Sequence, residues 1–132
     1  MEDRSVPLEL VPALPADVLG FIAKGTLHRS DYRATLDPAV EDALSRHDKI
    51  SLLYVLGRDF EGFSGGAIWA DSEVGMSHAR RFERIAVVTD QAWIRHSVAL
   101  FGHLMPGEVK VFSVAEEADA SEWLTSRSEA PR

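Results

Sequence analysis

Residues 50–56 read ISLLYVL and residues 84–90 read RIAVVTD. Both runs are almost continuously apolar and rich in β-branched residues, the pattern of strands covered on both faces, as parallel sheets are. Gly57 is expected to end the first strand. Between the two runs lies DFEGFSGGAIWADSEVGMSHARR, residues 59–81, which combines a dense group of glycines with polar residues that a scaffold does not require. Ser64 is read as the start of a helix that ends with Arg80 and Arg81, where cations complement exposed carbonyls. Strand, helix, strand is the unit of a parallel sheet, and it sets the fold class.

The flanking sequence extends this alternation. Leu8–Val11 and Val18–Gly25 read as a pair of neighbouring strands, a hairpin connected across Pro12 and Pro15, neither of which can donate to a ladder. From Ser30, the expected cap, Tyr32, Leu36, Val40, Ala43 and Leu44 recur at three- and four-residue steps, predicting a helix to Arg46. Pro38 predicts a kink there, or a break at which Asp37 caps a second segment. Downstream, Asp90 is expected to cap a helix whose Ile94, Ser97, Val98 and Phe101 share a face, with Gly102 as a left-handed stop. Val109–Phe112 reads as a short strand. Ser113 and Glu116 make a capping box for a last helix with Ala120, Trp123 and Leu124 as its stripe. The fold expected is therefore α/β, one domain over residues 1–132 with an ordered core at about 8–125. It has a mostly parallel sheet of about five strands, an N-terminal strand pair and about four helices. In such sheets ligands lie beyond the carboxyl ends of the strands, and the 59–64 loop is such an end.

Composition narrows the function classes. The 132 residues include 21 acidic against 14 basic side chains, a net charge of -7 that disfavours nucleic acid as a partner. There is no cysteine, which excludes disulfides, thiolate nucleophiles and Cys-based zinc sites. No apolar run approaches the ~20 residues of a membrane helix and MEDRSVP has no signal-peptide core, so a soluble, cytoplasmic chain without a transmembrane segment is expected.

Gly62-Phe63-Ser64-Gly65-Gly66 matches G-x-S-x-G, the nucleophile elbow of α/β-hydrolases, with Asp71 and His78 following in order. Two features oppose that reading. A polar loop separates Ser64 from the expected strand end, and on one helix Asp71 and His78 would lie ~10.5 Å apart. Ser64 reads first as a helix cap worth ~1 kcal/mol, with Gly65 and Gly66 allowing close backbone approach. The same turn offers free amides for an anion, whether a small ligand or a phosphate on Ser64 itself. Along the helix, Asp71 and His78 share one side and Trp69, Met76 and Arg80 the other. The first side could line a pocket with Lys24 or Tyr54 from the strands. The second would form an apolar patch for a partner or a second copy, bordered by Asp59 and Phe63 in the preceding loop. Arg80, Arg81 and Arg84 form a basic cluster suited to a helix end or to an acidic headgroup. No two histidines fall at i, i+4, so no metal site is implied. No dinucleotide or Walker glycine pattern occurs, so no cofactor is implied either.

The phrases LLYVLGRDFEGFSGGAIWAD, residues 52–71, and RFERIAVVTDQAWIRH, residues 81–96, resemble the small bacterial SpoIIAA-like family. The likeness runs from about Leu8 to Leu124. It implies a fold shared with STAS domains and, more distantly, with CRAL-TRIO lipid-transfer domains. In STAS anti-sigma-factor antagonists a serine at the start of the helix after the third strand is phosphorylated, and the protein binds a partner kinase. Ser64 holds the corresponding topological place, although the antagonist motif Asp-Ser-Ser-Gly is absent and the preceding loop carries Arg58, Asp59 and Glu61. The resemblance implies a non-enzymatic regulatory module that binds a protein partner or itself through the 64–81 helix. The alternative is a carrier of a small apolar or acidic ligand, such as a lipid, with its pocket under the same helix. A serine hydrolase at Ser64 is the third reading.

Overall fold

Five strands lie side by side in chain order: β1 (Leu8–Leu10), β2 (Val18–Leu27), β3 (Ile50–Phe63), β4 (Phe82–Thr89) and β5 (Glu108–Phe112). The computed structural model describes residues 8–11, 14–63, 79–102 and 107–126. β1 runs antiparallel to β2, pairing Leu8 with Ala23, while β2 to β5 are parallel to one another. This is the α/β sheet with an N-terminal strand pair that the sequence predicts. Among the described residues three helical stretches accompany it. The first is continuous through α1 (Arg29–Asp31), a π-helical turn (Tyr32–Leu36) and α2 (Asp37–Leu44); the others are α3 (Ala92–Gly102) and α4 (Glu117–Ser126). Of the fourth expected helix, 64–81, residues 64–78 lie outside the described residues, and its last three, Ala79–Arg81, form a 3-10 turn.

Strand alternation divides the core between two faces. Leu52, Leu56, Ile85 and Val87 point to the face covered by α2 and α3, where Leu36, Val40, Leu44 and Ile94 meet them. Leu53, Val55, Ala86, Val88 and Phe112 point to the opposite face and are covered by Ala120 and Leu124 of α4. Trp123 packs at the margin of this second cluster.

Several local expectations change. Gly57 does not end β3, which runs on to Phe63. The ladder pairs Ala23 with Leu56 and resumes at Gly25 with Phe60, so Gly57, Arg58 and Asp59 form a bulge opposite Lys24. A glycine breaks a ladder and lets a strand bulge by the same loss of side-chain constraint. Ser30 lies inside α1. The cap is His28, extended at φ -119°, whose backbone N–H donates to Asp31 at 2.7 Å across a three-residue capping step. Asp37 is helical rather than a cap, and its N–H reaches the carbonyl of Tyr32, five residues back. One wide turn before Pro38 thus accommodates the proline ring that a regular turn would press against a carbonyl. Asp90 reaches beyond α3: its carboxylate accepts the N–H of Val114, 2.9 Å away. Gly102 has no left-handed backbone, and a Cβ there would lie 3.2 Å from Val109, so its smallness serves close packing of α3 on β5. Ser113 and Glu116 do close a capping box, with Ser113 N–H donating to Glu116 at 2.8 Å.

Candidate functional site

The carboxyl ends of the parallel strands fall at Leu27, Phe63, Thr89 and Phe112. Two glycines with positive φ shape the long end of β2 and β3: Gly25 at 63° and Gly62 at 146°. Each sits at an irregularity in the β2–β3 register, where a side chain would be strained. Phe60 is buried there, while Arg58, Asp59 and Glu61 are exposed along the bulged segment. Because β3 ends at Phe63, Ser64 is the next residue in the chain after the strand. The separation assumed for the nucleophile elbow therefore disappears; the spacing of Asp71 and His78 remains the argument against a triad.

Beyond β4, polar groups are tied into the starts of neighbouring elements. Thr89 is fully buried. Its hydroxyl accepts the N–H of Gln91 at 3.2 Å and its carbonyl accepts Arg95 Nη1 at 3.0 Å. Asp90 reaches across to Val114. Glu116 is held below the usual carboxylate range chiefly by the Ser113 backbone N–H, which favours its ionised form. These bonds orient the loops; no nucleophile and base converge among them.

Of the residues singled out by sequence, Ser64, Gly65, Gly66, Trp69, Asp71, Met76 and His78 lie outside the described residues. Lys24 forms an ion pair with Glu9 at 3.2 Å on the side of Ile22, Glu9's cross-strand partner. Tyr54 belongs to the other face, where its hydroxyl bonds that of Tyr32 at 2.9 Å. Burial, then the neighbouring Tyr32, pushes the Tyr54 phenol well above its ordinary value. Lys24 and Tyr54 are therefore not brought together. The three arginines also separate. Arg80 is exposed. Arg81 donates to the carbonyls of Leu44 (2.9 Å), His47 (3.0 Å) and Asp48 (3.0 Å), closing the C-terminus of α2. Arg84 donates to Glu108 (3.0 Å) and to the carbonyl of Trp123 (2.6 Å), with its guanidinium 4.9 Å from the Trp123 ring centroid.

The tyrosine pair and the Arg84–Trp123 contact escaped sequence reasoning. A signal for the first existed, since the chain has only two tyrosines and both occupy apolar-face positions. Nothing in the spacing of Arg84 and Trp123 announces their contact. Among the described residues, no group of three His, Asp or Glu side chains is placed to hold a metal ion, and no helix is long and apolar enough to cross a membrane.

The sequence profile of the SpoIIAA-like family matches residues 18–125, from the start of β2 almost to the end of α4. The chain belongs to the SpoIIAA-like family. Its fold is similar to that of an uncharacterised protein of the DUF3478 family with a SpoIIAA-like fold from Shewanella loihica PV-4. That likeness has a TM-score of 0.73 and 26% identity, covering 94% of this chain and 98% of the other. It is also similar to the anti-sigma factor antagonist SpoIIAA in its unphosphorylated form, at a TM-score of 0.52 and 13% identity over 85% of this chain and 94% of that one. At that identity the likeness concerns the SpoIIAA-like fold alone. No curated protein matches the sequence.

Proposed function

We propose that this SpoIIAA-like chain is a non-enzymatic regulatory module that binds a protein partner, or a second copy of itself, through the segment from Ser64 to Arg81. The observation that carries this reading is the course of β3. Its fourteen residues end at Phe63, so Ser64 follows the third strand directly. In the antagonists of this fold that is the place of the phosphoacceptor serine. Glycines 65 and 66 would let a partner backbone approach, and Ser64 would either cap the following turn or carry a phosphate there. The carrier reading has less support. Arg81 and Arg84 already hold backbone carbonyls on opposite sides of the sheet, which leaves Arg80 to meet an acidic head.

The test compares wild-type protein, Ser64→Ala and Ser64→Asp purified from cells of the source organism, with bound proteins quantified by mass spectrometry. A partner retained by wild type and Ser64→Ala and lost from Ser64→Asp is the expected result. An unchanged partner set with Ser64→Asp removes the serine switch. If nothing co-purifies and light scattering gives a monomer at high micromolar concentration, the module reading itself fails.

A further inference from the structure

β5 is the outer strand of the sheet, and among the described residues one side of its backbone has no partner strand. An edge of this kind is a template for another extended chain unless it is covered. Here the edge sits in an open groove of about 640 Å3. Val98, Ala99 and Gly102 of α3 wall one side, and Trp123 of α4 walls the other. The side chains of β5 divide accordingly: Val109 and Val111 pair with Ile85 and Val87 on the α3 face, whereas Lys110 and Phe112 pair with Ala86 and Val88 on the α4 face.

The charge of the groove is opposite to that of the chain. Its described lining carries Arg95 and Lys110 against the single carboxylate of Glu108, in a protein of net charge -7. Glu108 is taken by Arg84 at 3.0 Å. Lys110 has no carboxylate partner among the described residues. Its ammonium lies 5.4 Å from the Trp123 ring centroid and 5.6 Å from that of Phe112, held over the aromatic floor beside the open edge. We propose that the free edge of β5 takes up an acidic, extended segment of a partner protein as an added strand.

A second copy fits this edge poorly. Lys110 is the middle residue of the five in β5. Symmetric antiparallel pairing of two β5 strands would set Lys110 against Lys110, and like charges directly opposite destabilise a ladder. An acidic strand meets the same lysine favourably. Its alternate side chains would divide as those of β5 do, with apolar ones toward Val98 and Ala99 and carboxylates toward Lys110. Main-chain pairing would supply affinity and Lys110 the selection of charge. This surface uses no residue of the 64–81 segment, so its fate is independent of the function proposed above.

The probes are three kinds of acetylated octapeptide: alternating Val and Glu, alternating Val and Lys, and the acidic peptide N-methylated at either set of alternate residues. Binding is read by fluorescence anisotropy and by the amide NMR signals of residues 108–112. The Val/Glu peptide should saturate and move those signals, and one of the two methylated versions should lose the effect. Lys110→Glu, with its folding checked by circular dichroism, should weaken the acidic peptide about tenfold and shift preference to the Val/Lys peptide. The proposal is overturned if no peptide binds at millimolar concentration, if both methylated versions bind as well as the parent, or if binding ignores charge. It is equally overturned if wild type ignores all peptides while the neutral variant Lys110→Thr dimerises, because Lys110 would then be a guard against edge pairing.

Discussion

On the face covered by α2 and α3, seventeen buried side chains form one continuous cluster among the described residues; on the α4 face there are eight. The first face is closed by area. Leu8, Phe21, Leu27, Leu36 and Ile50 are all essentially inaccessible, and its notable polar feature is the half-buried Tyr32–Tyr54 hydroxyl pair. The second face has one helix among the described residues, and its margin carries Arg84 and Lys110 over Trp123 together with the Arg84–Glu108 ion pair. The contrast separates two kinds of stability: burial that salt leaves alone, and half-exposed electrostatics that salt weakens.

The largest effects should come from the two cores. Leu36→Ala, on the first face, should cost about 4 kcal/mol, and Leu124→Ala, in a helix that can settle into the space, about 3 kcal/mol. Denaturant midpoints measure both, and equal or reversed losses would break the contrast. Gly107→Ala comes next. Its Cβ would fall 2.3 Å from the carbonyl oxygen of Phe82 and 2.7 Å from that of Glu83, so backbone must move where β5 enters beside β4. A loss of about 2 kcal/mol is expected by thermal or chemical unfolding, with hydrogen exchange accelerated in β5.

Tyr32→Phe removes the hydroxyl that meets Tyr54 and should cost about 1 kcal/mol, independent of salt. The same pair sets a pH dependence. Tyr54 keeps its proton in the folded state above the ordinary value of 10.0, so below that pH it does not change stability. At higher pH the unfolded chain ionises first and binds fewer protons, and stability falls. Unfolding midpoints from pH 8 upward should therefore decline beyond about 10 in wild type and less steeply in Tyr54→Phe. The smallest effect belongs to the other face. Arg84→Met should cost about 0.5 to 1 kcal/mol at low salt and less in 1 M sodium chloride. A salt-independent loss would show that Arg84 acts through its stem and its bond to the Trp123 carbonyl rather than through charge.

The strands were legible because ISLLYVL and RIAVVT leave little choice: apolar on both faces, they belong in the middle of a parallel sheet. The Ser113–Glu116 box was legible for an equally local reason. What was not legible depends on partners distant in the chain. Asp90 precedes a helix and reads only as its cap, yet its carboxylate accepts the N–H of Val114, 24 residues on. Arg81 looked like a helix-end cation for its own segment, yet it closes α2, whose last carbonyl is 37 residues earlier. Gly57 could end a strand or bulge it, and only pairing with β2 decides. At the candidate site, sequence identified the segment after β3 but dispersed residues around it as if they shared a pocket; Lys24, Tyr54, Arg81 and Arg84 prove to serve different faces and different elements.

The strands stand in the sheet in the order in which they are made. In doubly wound sheets a ligand crevice opens where the order reverses, because adjacent connections there leave toward opposite faces and their loops part. β2 to β5 never reverse, and α2 and α3 both pack on one face. No parting of loops is built into this strand order. The two described crossovers, through α2 and α3, therefore leave toward one face, and the strand order by itself opens no crevice between them.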